Sequence, residues 1–348
     1  MNTIIGLLII LVGSFGQSSS YVPINKVRDW AWECFWQTQG IFAWLVFPFL
    51  GALIALPPGV SLGEILSATD AEGSIVAWKT IGYGALWGVG GLTFGLSMRY
   101  LGVAMGQSIA LGTCSAFGTL IPALIKGKNL FHGDGLILLV GVSVAIAGIA
   151  IIGYAGSLRD KDMTEEEKRK AVKDFALKKG ILIALLSGVM SACFSLGLET
   201  GDPVKTKALS MGAKDILALN PVILLVTMGG FCINTIYCIS QNIKNQTGKQ
   251  YFSIHGNILI NNLLFCALAG LLWYSNFFAL GIAKTFLQEN VVMLAFSWSI
   301  LMSLNILASN IWGILLKEWK NVGRKTVAIL VAGLLILVMS IIFPQWMQ

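Results

Sequence analysis

The sequence predicts an all-α integral membrane protein with ten transmembrane helices, arranged as two inverted five-helix repeats. Three observations lead there. The 348-residue chain is 56% hydrophobic and 12% charged, with mean hydropathy +0.77, whereas soluble domains carry about 25% charged residues. Ten long stretches hold no Asp, Glu, Lys, Arg or His. Two short motifs recur at offsets of 175 residues (Gly13 to Gly188) and 179 residues (Met98 to Phe277).

The uncharged stretches are 1–25, 34–63, 80–98, 100–125, 135–158, 180–198, 216–243, 256–283, 290–316 and 326–348. Each holds a bilayer-spanning helix of about 20 residues. Several contain Gly and Pro, which membrane helices tolerate. The first lacks a Lys or Arg ahead of its apolar run, so it reads as a retained helix rather than a cleaved leader. The six cysteines lie in these stretches without a C-x-x-C pair and read as small apolar residues. The glycines of G-Y-G-A-L-W-G (Gly82–Gly88) read as helix packing, because the strand and Lys of a phosphate loop are missing.

Residues 1–158 form the first repeat, 159–179 a linker and 180–348 the second. The linker carries eight basic and six acidic residues. Thr164 and Glu167 make a capping-box pattern for a short surface helix. Duplication is suggested by G-S-F-G-Q-S-S-S (Gly13–Ser20) against G-V-M-S-A-C-F-S (Gly188–Ser195), and by M-R-Y-L-G-V-A-M-G (Met98–Gly106) against F-F-A-L-G-I-A-K-T (Phe277–Thr285). Two copies of a five-helix unit insert in opposite orientations. That architecture is common among secondary transporters, which bind substrate near the midplane.

Charge sets orientation. Loops after odd-numbered helices hold 17 of the Lys and Arg residues, and loops after even-numbered helices hold 7. The odd loops are then cytoplasmic and both termini face outward. The net charge of +7 is read as orientation signal and lipid-facing charge, with no nucleic-acid partner.

Polar residues inside the apolar stretches are the candidate site. In F-L-Q-E-N-V-V-M (Phe286–Met293), Gln288, Glu289 and Asn290 stand between apolar flanks. If the ninth helix starts near Ile282, as the repeat alignment suggests, they lie about 10 Å deep at 1.5 Å per residue, as Gln107 and Ser108 do in the fourth. Such groups face an interior cavity. If the helix starts later, they are a cap. Gln17, Ser18 and Tyr21 near the first helix, Trp87 in the third, Trp273, Tyr274 and Asn276 in the eighth, and Trp298 in the ninth would suit a sugar. Amides and hydroxyls serve its OH groups, and flat rings serve its C–H faces. The alternative is interfacial belts and helix packing.

At Trp87–Gly106, W-G-V-G-G-L-T-F-G-L-S-M-R-Y-L-G-V-A-M-G resembles the bacterial L-rhamnose/proton symporter family of the drug/metabolite transporter superfamily. Y-V-P-I-N-K-V-R-D-W-A-W-E-C-F-W (Tyr21–Trp36) and S-N-I-W-G-I-L-L-K-E-W-K (Ser309–Lys320) are similar as well. The resemblance implies ten helices, proton-coupled sugar uptake across the bacterial inner membrane and periplasmic termini. One departure is that Ser297-Trp298-Ser299-Ile300-Leu301-Met302 carries Leu301 where family members carry a His.

The expected function is a symporter importing a deoxy sugar, L-rhamnose first, by alternating access, with H+ as coupling ion and no cofactor. The alternative is an exporter or exchanger of small metabolites or drugs. A membrane-embedded enzyme would need a nucleophile–base or metal constellation that the sequence does not display. A proton symporter needs a group whose protonation changes through the cycle. Glu289 is the first candidate, and Glu199 the second unless it is simply a solvated helix end. Arg99 is either a gate at the cytoplasmic mouth or a lipid-phosphate anchor.

Overall fold

The computed structural model describes residues 2–24, 26–101, 103–161, 177–253, 255–315, 319 and 322–346. The Thr164–Glu167 pattern and the side chains of Tyr21 and Arg99 lie outside what is described. The long helices are α1 (Asn2–Ser19), α2 (Trp32–Ile54), α3 (Val76–Leu101), α4 (Val103–Ile125), α5 (Gly133–Lys161), α6 (Leu177–Thr200), α7 (Asn220–Asn245), α8 (Gly256–Phe286), α9 (Val291–Leu315) and α10 (Arg324–Trp346). The chain is a multi-pass helical membrane protein. Among the described residues, nine segments are long and apolar enough to cross a bilayer, and α3 is the long helix outside that set. Its 26 residues extend about 39 Å at 1.5 Å per residue. Six glycines and Lys79 dilute its apolar character.

Two boundaries differ from the charge count. α2 begins at Trp32 and takes in Glu33, which the uncharged stretch 34–63 left outside. α8 continues through Lys284 to Phe286, and α9 begins only at Val291. A start near Ile282 is therefore overturned, because Lys284 is carried in the last turn of α8 rather than in a loop.

Within α2, residues Ile41–Val46 form a π-helical segment between two α-helical stretches. Pro48 has no N–H to offer the carbonyl four residues earlier. Inserting one residue into the turn is the usual resolution, and such bulges recur at functional sites.

Packing divides the chain into two compact units, residues 1–88 with 197–286, and residues 89–196 with 287–348. Each draws on both halves of the sequence, so this partition is distinct from the repeat division. In the first unit α1 lies along α8, where a Cβ on Gly13 would stand 2.5 Å from that of Ala279. The first half of α3 crosses α7 backbone to backbone. A Cβ on Gly84 would collide with the Val226 carbonyl, and one on Gly229 with that of Ile81. Small residues at membrane-helix crossings allow this approach. In the second unit α5 packs along α10 around Ala145, Ile149, Ile152, Leu330 and Leu337. There Ser187 Oγ donates to the Gly90 carbonyl at 2.9 Å, joining α6 to the second half of α3.

Candidate functional site

Three indoles meet in the first unit. Trp44 comes from the π segment of α2, Trp87 from α3 and Trp273 from α8. Their ring centroids are 5.9 Å (Trp44–Trp87), 6.1 Å (Trp44–Trp273) and 5.7 Å (Trp87–Trp273) apart. Phe277, one turn after Trp273, adds a fourth ring at 4.8 Å. Gly230 of α7 leaves room for Trp87, since a Cβ there would enter the indole. Aromatic pairs at these separations stabilise a cluster by about 0.5–1.5 kcal/mol each beyond area burial.

The same three-dimensional unit carries buried polar atoms with no hydrogen-bond partner in the protein. They are Gln17 Oε1, Gln39 Oε1, Trp44 Nε1 and both amide atoms of Asn276. Asn276 follows Trp273 by three residues on α8 and is fully buried, which puts both on one helix face. Gln17 follows Gly13 by four residues, so it shares the face of α1 that touches Asn276. Gln39 stands five residues before Trp44 on α2. A buried polar group without a partner costs about 1–3 kcal/mol. Flat rings beside amides that lack protein partners can stack on C–H faces and bond hydroxyl groups.

The predicted residues separate accordingly. Gln17, Trp87, Trp273 and Asn276 gather in the first unit. Ser18 is buried on α1 beside them in sequence. Tyr274 faces elsewhere: its hydroxyl donates to Asn220 Oδ1 at 2.6 Å against Gly51, so it braces α8 to α7. Trp298 belongs to the second unit. Its Nε1 donates to the Cys114 carbonyl at 3.3 Å and its ring stacks on Phe194 at 5.9 Å. With its donor used and its face covered, it is built as packing. Leu301 is fully buried on the same helix. Gln107 and Ser108 line a separate cavity of about 110 Å³ in the second unit with Arg159, Ser309, Asn310 and Trp319. There the Arg159 guanidinium lies 4.9 Å from the Trp319 ring centre.

The Q-E-N stretch is a correction. Gln288 and Glu289 are exposed in the turn between α8 and α9. Asn290 Oδ1 accepts from the Met293 N–H at 2.8 Å, as an N-cap does. The depth assigned to all three rested on the early start of α9, which does not occur. Glu199 ends α6 and pairs with Lys284 of α8 at 3.6 Å, both partly buried.

Sequence reasoning missed Gln39, Trp44 and Glu33. All three lie on α2, where two signals were present. Pro48 four residues after Trp44 marks a break in the helical ladder. Glu33 also sits one residue before the apolar stretch, in the first turn of α2. Its Oε1 accepts from Asn245 Nδ2 at 2.9 Å and Thr247 Oγ1 at 2.7 Å.

A multi-pass helical protein with an aromatic and amide cluster inside its apolar body has the features of a membrane carrier for a small polar solute. The chain belongs to the family described as L-rhamnose-proton symport protein (RhaT), whose model it matches over residues 1–344. That family is one of transporters, not enzymes. The chain is 35% identical over 343 residues to the L-rhamnose-proton symporter of Yersinia pestis bv. Antiqua (strain Antiqua), covering 97% of this chain and 96% of the relative. It is 35% identical over 344 residues, with the same coverage, to that of Yersinia pseudotuberculosis serotype O:3 (strain YPIII).

Proposed function

We propose that the protein imports L-rhamnose together with protons across the bacterial inner membrane. In this reading it has ten membrane-spanning helices in two inverted repeats, 1–158 and 180–348, with both termini periplasmic. The observation that carries the proposal within the fold is the Trp44–Trp87–Trp273 cluster, with the unpartnered amide oxygens of Gln17 and Gln39 and the unpartnered amide of Asn276 in the same unit. The relatives named as L-rhamnose-proton symporters support the choice of sugar and ion.

A deoxy sugar suits this chemistry. Its hydroxyls take hydrogen bonds from the amides and the Trp44 N–H, while its methyl group and C–H faces rest on the indoles. Binding then relieves the cost of those unpaired groups, so sugar affinity and protein stability are linked. Transport proceeds by alternating access. The Glu199–Lys284 pair is assigned to holding the ends of α6 and α8 together, and Arg99 in the last turn of α3 to gating. Glu289 loses its support as coupling group, because that support was its depth and it lies exposed in the turn between α8 and α9.

The test uses the purified protein in proteoliposomes. An inward-directed proton gradient should drive accumulation of labelled L-rhamnose, and adding the sugar outside should raise the external pH. Uptake that ignores the gradient, or that prefers a non-sugar solute, would overturn the reading.

A further inference from the structure

Among the described residues, Glu33 is the buried carboxylate, only 6% exposed. It begins a continuous line of polar atoms. Its Oε1 meets Thr247 Oγ1 at 2.7 Å. Thr247 Oγ1 meets Asn242 Oδ1 at 2.9 Å. Asn242 Nδ2 meets the Tyr251 hydroxyl at 3.0 Å. The Thr247 hydroxyl has one hydrogen and faces two oxygens, so with Glu33 ionised and Asn242 in this orientation the line is one proton short.

The line closes in two ways. With Glu33 protonated, its O–H donates to Thr247 Oγ1, Thr247 donates to Asn242 Oδ1, and Asn242 donates to Tyr251. The protonated carboxyl still accepts from Asn245 Nδ2, since a protonated oxygen keeps acceptor capacity. With Glu33 ionised, a half-turn of the Asn242 amide exchanges its O and N. Tyr251 then donates to Asn242, Asn242 to Thr247, and Thr247 to Glu33. In both states each link of the Glu33–Thr247–Asn242–Tyr251 line has one donor and one acceptor. Burying a carboxylate without a partner is costly in either form, so a network that satisfies both forms lets the proton come and go.

The surrounding groups are compatible with such a change. Cys34 of α2 and Cys238 of α7 are titratable neighbours of Glu33, and Tyr251 of the short helix Gly248–Tyr251 stands at the far end of the line. Cys34 Sγ contacts Asn242 Oδ1 at 3.4 Å and the Thr247 carbonyl at 3.5 Å, and it keeps the second after the amide turns. Lys244 on α7, Lys249 on the short helix and His255 before α8 are exposed. No cation among the described residues forms an ion pair with Glu33, so no fixed charge locks it in one state.

Glu33 is also connected to the sugar cluster. Trp36, one turn along α2, donates from Nε1 to Asn234 Oδ1 at 3.0 Å, and its ring meets that of Trp44 at 5.6 Å. Trp44 is a member of the triangle.

We propose that Glu33 is the proton-coupling carboxylate of the transport cycle, and that the Thr247–Asn242–Tyr251 line accommodates its charged and neutral forms. The step is simple protonation: a carboxylate and a proton give a carboxylic acid, the hydrogen bonds along the line reverse, and deprotonation restores them. This inference rests on the proton-symport reading above.

The decisive variant is Glu33→Gln, which keeps the volume and an oxygen for Asn245 and Thr247 but cannot titrate. In proteoliposomes it should bind and exchange labelled L-rhamnose and lose both pH-gradient-driven accumulation and the pH dependence of exchange. If Glu33→Gln still accumulates the sugar in response to a pH gradient while wild type does the same, Glu33 is not the coupling group and the symport reading stands. If wild type shows no proton-driven accumulation, both fall. Should Glu33→Gln fail to insert, Thr247→Val interrupts the line and should shift the pH profile of exchange. An unchanged profile in that variant overturns the proposal.

Discussion

Replacing Asn276 by Leu separates a sugar-binding amide from a structural one. Asn276 is fully buried, and neither of its amide atoms has a partner in the protein. A Leu of similar volume removes the unpaired groups without opening a cavity. The sugar-free protein should become more stable, because each unpaired buried polar group costs about 1–3 kcal/mol. Binding should weaken at the same time. Two lost hydrogen bonds at about 0.5–1.5 kcal/mol each amount to about 1–3 kcal/mol, and at 1.4 kcal/mol per decade the Kd for L-rhamnose rises roughly 5- to 150-fold. Thermal unfolding in detergent and titration of tryptophan fluorescence with sugar would read the two effects on one sample. A variant that is more stable yet binds with unchanged Kd would refute the assignment of Asn276 to the site. A variant that is less stable and binds normally would mean that the amide has a structural task.

Two further outcomes follow from the packing and the charges. Gly84→Ala places a methyl on the Val226 carbonyl at the α3–α7 crossing. Overpacking of this kind costs about 1–3 kcal/mol or more, so the thermal midpoint in detergent should fall, and an unchanged midpoint would mean that the crossing relaxes freely. In the loop before α3, the hydrogen bond from Lys79 at 2.6 Å, with backbone N–H donors from Ser74 and Glu72, holds the Asp70 carboxyl below its ordinary range. A depressed carboxyl stabilises the fold above its unfolded value, and that contribution is lost as pH falls through the folded one. The loop's amide protection, measured by hydrogen exchange, should therefore survive mild acid and drop in stronger acid, and Asp70→Asn should remove the pH dependence. Equal protection in both proteins at all pH values would contradict this.

The sequence by itself determined that the protein is helical and membrane-embedded, where its long helices lie, and which aromatic and amide residues were worth attention. Uncharged stretches long enough to span a bilayer leave the backbone no choice but to bond within a helix, so periodicity and propensity hardly enter. The family was legible too, in Trp87–Gly106 and two further segments. Charge spacing alone misplaced the ends of helices, because a Lys or Glu in a terminal turn reaches the interface without ending the helix. That error left Glu33 in a loop, whereas Glu289 was drawn into the interior by the repeat alignment, which started α9 near Ile282 instead of Val291. Tertiary structure decided the rest. Trp44, carried in the π segment of α2 ahead of Pro48, meets Trp87 and Trp273 from helices far away in sequence. Tyr274 and Trp298, equally promising by composition, have their donors taken by Asn220 and Cys114. Which polar atoms are left without partners depends on contacts between residues as far apart as Glu33 and Thr247, and no local pattern in the sequence records those distances.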